Sequence, residues 1–204
     1  MSKPKLYGIS GSRALRSLWA IEETGIEYEH IATNFSADAK AEDYLAINPN
    51  GRIPALVDGD LMMFESMAIN LYLAKRYGGD LYPSDSSSEA LAWQWSVWVI
   101  SEIEGPQMEL VVHKFFTPDD KKNDKIPAVA AKKLARPLKV LDQHLATRNY
   151  LLGDSFSIAD VNVAGAMLLL KMVQFDYSEH THVQRWAAAC YERPALKRAQ
   201  ALGA

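Results

Sequence analysis

Cysteine is nearly absent. Cys190 is the only one in 204 residues, so an intrachain disulfide, a Cys-x-x-Cys redox pair and a multi-cysteine zinc site are all excluded. In a segment that reads as helix, Cys190 is expected to be a small core residue. Long apolar runs are missing too. The longest, Val163 to Leu170, stops at Lys171 and is far too short to cross a bilayer. Excess positive charge is also lacking: 22 Lys and Arg stand against 25 Asp and Glu, for a net charge of −3. That gives no general attraction to nucleic acid. No basic-then-apolar leader opens the sequence, because Met1-Ser2-Lys3-Pro4-Lys5 runs straight into a strand-like segment, and a cytoplasmic protein is expected. The remaining composition is that of an ordinary globular protein, 49% hydrophobic and 23% charged.

Glycine is scarce in the rear of the chain. Seven of the 11 lie in the first 80 residues (Gly8, Gly11, Gly25, Gly51, Gly59, Gly78, Gly79), which predicts a turn-rich front and a helical rear. Between them, Gly78-Gly79-Asp80-Leu81-Tyr82-Pro83-Ser84-Asp85-Ser86-Ser87-Ser88 is made of loop-forming residues. The expected division is therefore a domain over 1–80, a linker over 81–88 and an all-helical domain over 89–204. In the front, Lys5 to Ile9 reads as a strand. A helix from about Arg13 to Thr24 comes next, stopped by Gly25, and then a second strand from Tyr28 to Thr33. A short helix around Ala41 to Ala46 leads to the turn Asn48-Pro49-Asn50-Gly51. Ala55 to Asp58 and Leu61 to Phe64 flank Gly59 as a hairpin, and a last helix runs from Ser66 to about Tyr77. The order is β-α-β-α-β-β-α. In the rear, Leu134, Leu138, Leu141 and Leu145 mark one face of a helix. Ser157-Ile158-Ala159-Asp160 is a capping-box opening, with Asp for the usual Glu, to an apolar helix through Leu170.

Four segments, in this order, carry a resemblance: Gly11-Ser12-Arg13-Ala14-Leu15-Arg16-Ser17-Leu18; Asn48-Pro49-Asn50-Gly51-Arg52-Ile53-Pro54-Ala55-Leu56-Val57; Phe64-Glu65-Ser66-Met67-Ala68-Ile69; and Gly153-Asp154-Ser155-Phe156-Ser157-Ile158-Ala159-Asp160. Together they span nearly the whole chain and resemble the glutathione S-transferase superfamily, in its bacterial, serine-type form. The resemblance implies an α/β thioredoxin-like N-terminal domain, an all-α C-terminal domain, glutathione as co-substrate with no metal, and a homodimer.

Each site residue also has a reading of its own. Asn-Pro-Asn-Gly is a turn by its own chemistry, and Pro54 precedes a strand. The isomer of the Ile53-Pro54 bond is open from sequence. In the family it is cis, and the resemblance implies that Ile53 offers its N–H and C=O to the cysteinyl part of glutathione as a strand addition. Ser66 reads by type as an N-cap. A helix start is also a seat for a carboxylate. The resemblance implies that Ser66 takes the γ-glutamyl carboxylate of glutathione and Glu65 the adjacent ammonium. Ser12 matches the position of a thiol-activating serine, with Ser10 as competitor, while Tyr7 is expected to pack. Gly51 shapes the loop, and Arg52 and Lys40 are candidates for the glycyl carboxylate.

The second substrate, a small hydrophobic electrophile, is expected to meet the helix around Leu91 to Val112. Its Trp93, Trp95 and Trp98 spread over roughly 200° of a helical wheel, wider than one core stripe. His113, Phe115 and Phe116 are candidate wall residues. Two features are set aside. His180-x-His182 beside Glu179 has no third metal ligand in sight, and Lys125, Lys132, Arg136 and Lys139 read as a solvated helix face. No nucleic-acid or membrane contact is expected. The expected activity is conjugation of glutathione thiolate to hydrophobic electrophiles. The alternatives are glutathione-dependent peroxide reduction or isomerisation, and a non-catalytic interaction module on the same fold.

Overall fold

Short strand-forming segments at the front of the chain pair into one small sheet, and helical periodicity takes over behind it. The computed structural model describes residues 3–202. In chain order its elements are β1 (Lys5–Tyr7), α1 (Ala14–Thr24), β2 (Glu29–Ile31), α2 (Glu42–Ile47), β3 (Ala55–Asp58), β4 (Leu61–Phe64), α3 (Ser66–Tyr77), α4 (Ser86–Trp98), α5 (Gly105–Val111), α6 (Lys125–Leu145), α7 (Ile158–Val173), α8 (Thr181–Tyr191) and α9 (Pro194–Ala201). Two compact units result: residues up to Glu89 together with those from Glu192 onward, and Ala90–Tyr191.

The first unit is built on a sheet of strand order β2-β1-β3-β4, with β1 and β2 parallel and the other pairs antiparallel. This is the β-α-β-α-β-β-α order that the sequence pattern predicts. Strand alternation sorts the side chains. Leu6 stands opposite Leu56, both fully buried, while their neighbours Tyr7 and Ala55 face the other way. On that second side Ala55 joins Ile9, Ala39, Tyr44 and Ile53 in a buried cluster, and the Tyr7 and Tyr44 rings meet edge to face at 5.8 Å. Helices α1 and α3 pack on each other with Leu18, Trp19, Ile21, Ile69 and Leu73 fully buried. Helix α9 packs on α1. The Arg193 guanidinium donates to both oxygens of Glu23 at 2.6 and 2.7 Å, and Arg198 donates to Glu22 at 2.6 Å.

The second unit is helical. Leu134, Leu138, Leu141 and Leu145 are buried, as their spacing predicts, and so is Cys190, while Lys125, Lys132, Arg136 and Lys139 face solvent. The opening of α7 is organised by the buried Asp160. Its carboxylate accepts from the Ser157 N–H (2.9 Å) and hydroxyl (2.8 Å), from the Leu151 N–H (2.9 Å) and from Trp186 Nε1–H (2.8 Å). The single helix expected over Leu91 to Val112 is instead α4, a wide π-helical turn over Val99–Glu104, and α5, with a second wide turn over Val112–Phe116. Pro106 supplies a reason for the first interruption, since it has no N–H and its ring crowds the carbonyl four residues back. No helix among the described residues is long and apolar enough to cross a membrane.

Candidate functional site

Register brings the three front segments to one place. Tyr7 pairs with Ala55, and Ala55 pairs with Phe64. The residues just after Tyr7 (Gly8 to Ser12), just before Ala55 (Gly51 to Pro54) and just after Phe64 (Glu65 and Ser66) therefore leave the sheet at the same end. Side-chain packing ties the first two together, because Ile9 and Ile53 share the buried cluster.

Ser12 lies just before α1. Its hydroxyl accepts from the Ala14 N–H at 3.1 Å and donates to the Ile9 C=O at 2.8 Å. It thus does the helix-start work of a serine while keeping its single proton on a nearby backbone carbonyl. Ser10 is in the same turn and partly exposed. The chain reaches this turn through Gly8, whose φ of +141° suits glycine, and a Cβ there would lie 2.3 Å from the Cβ of Ala14.

The second segment is held from below by side chains. Tyr44 Oη–H and Asn48 Nδ2–H both donate to the Arg52 C=O, at 2.7 and 2.6 Å. Lys40 Nζ donates to the Gly51 C=O at 2.7 Å. Gly51 has φ +57°, and a Cβ would come within 2.8 Å of that Nζ and 2.9 Å of the Ala39 C=O. Arg52 is exposed. Both polar backbone groups of the buried Ile53 are without a hydrogen bond among the described residues. The Ile53-Pro54 bond is cis. Burial, with a smaller push from Tyr7, raises the Tyr44 phenol to about 12 against the lowering effect of its bond with Asn48.

The third segment corrects one expectation. Ser66 is not the N-cap of α3 but its first helical residue, and Glu65 occupies the capping position without a side-chain cap bond. The Ser66 hydroxyl, in a buried residue, bonds nothing among the described residues, so it is uncommitted beside the open N–H groups of the helix start. Glu65 is exposed and held at φ 72°, ψ 110°, outside the ordinary regions for a residue with a side chain. Such strain gathers where a site dictates the backbone.

Chemically, this end of the sheet offers the hydroxyls of Ser12 and Ser66, one strand-like N–H and C=O pair, a helix start and an adjoining carboxylate. That set suits a short extended peptide bearing both an ammonium and a carboxylate at one end. Sequence reasoning singles out Ser10, Ser12, Gly51, Arg52, Ile53, Pro54, Glu65 and Ser66, and each lies in one of the three segments. It misses the supports. Gly8 is legible only as a turn glycine, and Tyr44 only as part of a short helix. Of the wall candidates, His113 lines two neighbouring cavities of about 470 and 620 Å³ in the helical unit. Phe115 and Phe116 are exposed and line neither.

Known proteins match this chain over nearly its whole length. Residues 2–75 match the model of the glutathione S-transferase N-terminal domain, and residues 106–194 that of the C-terminal domain. Glutathione S-transferase 3 from Zea mays is 34% identical, over 97% of this chain and 93% of its own. Among solved structures, a theta class glutathione S-transferase from Xanthomonas axonopodis pv. citri with glutathione bound superposes with a TM-score of 0.89 at 31% identity, covering 98% of this chain and 97% of that one. Glutathione S-transferase I from mais, in complex with an atrazine glutathione conjugate, gives 0.87 at 30% identity, over 98% of each chain.

Proposed function

We propose that this chain, which belongs to the glutathione S-transferase superfamily, holds glutathione at the common end of β1, β3 and β4 and activates its thiol with the Ser12 hydroxyl. The activity is conjugation of glutathione, through its thiolate sulfur, to small hydrophobic electrophiles. The observation that carries the reading is the convergence of three segments whose uncommitted groups match the parts of that tripeptide. Ile53 N–H and C=O receive the cysteinyl backbone as an added strand. Ser66 and the first turn of α3 take the γ-glutamyl carboxylate, and Glu65 takes the ammonium beside it. Gly51 lets the loop close, and Lys40 or Arg52 reaches the glycyl carboxylate. Lys40 is already engaged with the Gly51 C=O, so Arg52 is the freer of the two. Residues 1–80 thus serve glutathione and 89–204 the electrophile. The partner is a second copy of the chain, and the compartment the cytoplasm.

Thiol activation rests on the bonding of Ser12. The hydroxyl has one proton, and the Ala14 N–H already uses one of its lone pairs. To stabilise a thiolate, the O–H turns from the Ile9 C=O to the sulfur, exchanging a neutral acceptor for an anionic one. A hydrogen bond to a charged group contributes ~1.5–3 kcal/mol. With a cysteine-like pKa of ~8.5, only about 3% of a thiol is ionised at pH 7, and lowering that pKa by about two units needs ~2.7 kcal/mol. One such bond is of the right size.

The test is Ser12→Ala. At neutral pH the thiolate fraction drops from about three quarters to about 3%, so kcat should fall roughly 20-fold while KM for glutathione changes little. Above pH ~8.5 the thiol ionises unaided and the deficit should close. Full activity at neutral pH in Ser12→Ala, with loss in Ser10→Ala, would transfer the role to Ser10. Failure of the wild-type protein both to bind immobilised glutathione and to conjugate a standard electrophile would overturn the reading altogether.

A further inference from the structure

The geometry points to His30 as a positioning residue for the Ser12 hydroxyl, an inference that rests on the thiol-activating role proposed for Ser12. His30 stands in β2, opposite Leu6 in the parallel register. Its Nε2 lies 2.8 Å from the C=O of Gly8, the residue just past the end of β1. A carbonyl has no proton to give, so Nε2 carries the hydrogen and donates it. The N–H of Gly8 donates to the Ile31 C=O at 3.1 Å. Both polar groups of Gly8 are therefore fastened to β2, one by backbone and one by the histidine ring.

Gly8 is where such a fastening matters. It has the widest conformational freedom of any residue type, it sits at φ +141°, and its backbone passes hard against Ala14, the first residue of α1. The next residue, Ile9, provides the carbonyl that holds the Ser12 proton at 2.8 Å, and its side chain packs in the cluster with Ile53. His30 thus fixes the backbone at the start of the turn that carries Ser12, and with it the place from which the hydroxyl reaches the sulfur. In the binding mode proposed above, neither the thiol nor the peptide part of glutathione is assigned a contact with His30. Its loss should therefore be felt at the sulfur and not in tripeptide binding.

The measurements are the thiol pKa of bound glutathione, read from thiolate absorbance in the ultraviolet, and the separate kcat and KM, for His30→Leu and His30→Gln in both the Ser12 and Ser12→Ala backgrounds. Thermal unfolding of each variant confirms that it is folded. His30→Leu should raise the bound thiol pKa and lower kcat at neutral pH roughly ten-fold, the scale of a modest misplacement of a reacting group. KM for glutathione should stay within about two-fold. His30→Gln, whose amide N–H can reach the same carbonyl, should recover most of the loss. In Ser12→Ala, His30→Leu should change neither pKa nor kcat further. An unmoved thiol pKa in His30→Leu, or an equal drop in both backgrounds, refutes the assignment while leaving Ser12 in place. If Ser12→Ala itself leaves the thiol pKa unmoved, the reading of Ser12 fails and this inference falls with it.

Discussion

Gly8 and Gly11 bracket the turn that presents Ser12, yet the physics assigns them opposite tolerance. At Gly8 a Cβ would come within 2.3 Å of the buried Ala14 Cβ, and the φ of +141° is strained for any other residue. At Gly11 a Cβ would meet nothing within 4 Å, and φ is ordinary. Gly8→Ala should therefore cost about 2–3 kcal/mol, a fall in Tm of roughly 5–10 °C for a chain of this size, and should lower kcat with it. Gly11→Ala should stay within ~0.5 kcal/mol of wild type. Thermal unfolding of the two variants side by side is the check, and equal stability would refute the steric account. Single residues are legible in sequence wherever their type carries the chemistry: a hydroxyl at a helix start, a carboxylate beside it, a proline before a strand. They are not legible where the reason is a neighbour. No local pattern says that Ala14 will face Gly8, that the Ile53-Pro54 bond is cis, or that Glu65 takes the capping position and releases the hydroxyl of Ser66.

At the level of elements, strand-like composition between turn residues, together with the period-3.6 helix patterns, is enough to place the strands and helices of the front along the chain. Contacts between distant elements leave no such trace. The Glu23 carboxylate, 6% exposed, is held by Arg193, which lies 170 residues away. Nothing near either residue announces the pair. The wide turn before Gly105 is likewise not announced by the sequence around Val99–Glu104, although Pro106 marks the spot. The loop that carries Ile53 depends on a third kind of contact, from α2. Tyr44 donates to the Arg52 C=O, and burial raises its phenol from 10.0 to about 12. A pKa raised on folding stabilises the protein fully below the unfolded value near 10, and that contribution is lost as the pH climbs through about 12. Ionisation of Tyr44 should therefore leave the loop undisturbed up to pH 10 and begin to release it above that. In a spectrophotometric tyrosine titration, Tyr44→Phe should remove one late-ionising group. Loss of a group titrating near 10 instead would show that the phenol is not buried as described.

For the whole molecule, the question is what covers the apolar surface that neither unit buries by itself. In the first unit, β4 is an edge strand whose Leu61, Met62 and Phe64 are exposed. An exposed apolar edge invites pairing or packing by another chain. In the second unit, Trp93, Val97 and Ile100 are exposed on and just after α4, with Val97 at 67%, while Trp95 on the same helix is buried. The wide arc of tryptophan in the sequence thus resolves into one core side, with Trp95, and one exposed side, with Trp93. Large apolar side chains exposed in this way suit an interaction surface, and a net charge of −3 offers little repulsion between copies. The homodimer proposed for this chain accounts for both surfaces. Sedimentation at micromolar concentration should give twice the chain mass of 22.7 kDa. A lysine on the edge strand, Met62→Lys, or on the exposed helix side, Val97→Lys, should shift the mass toward 22.7 kDa and remove the dependence of Tm on protein concentration that a dimer shows. If the wild-type chain itself sediments at 22.7 kDa, the apolar edge and helix side face water, and the second copy is not what covers them.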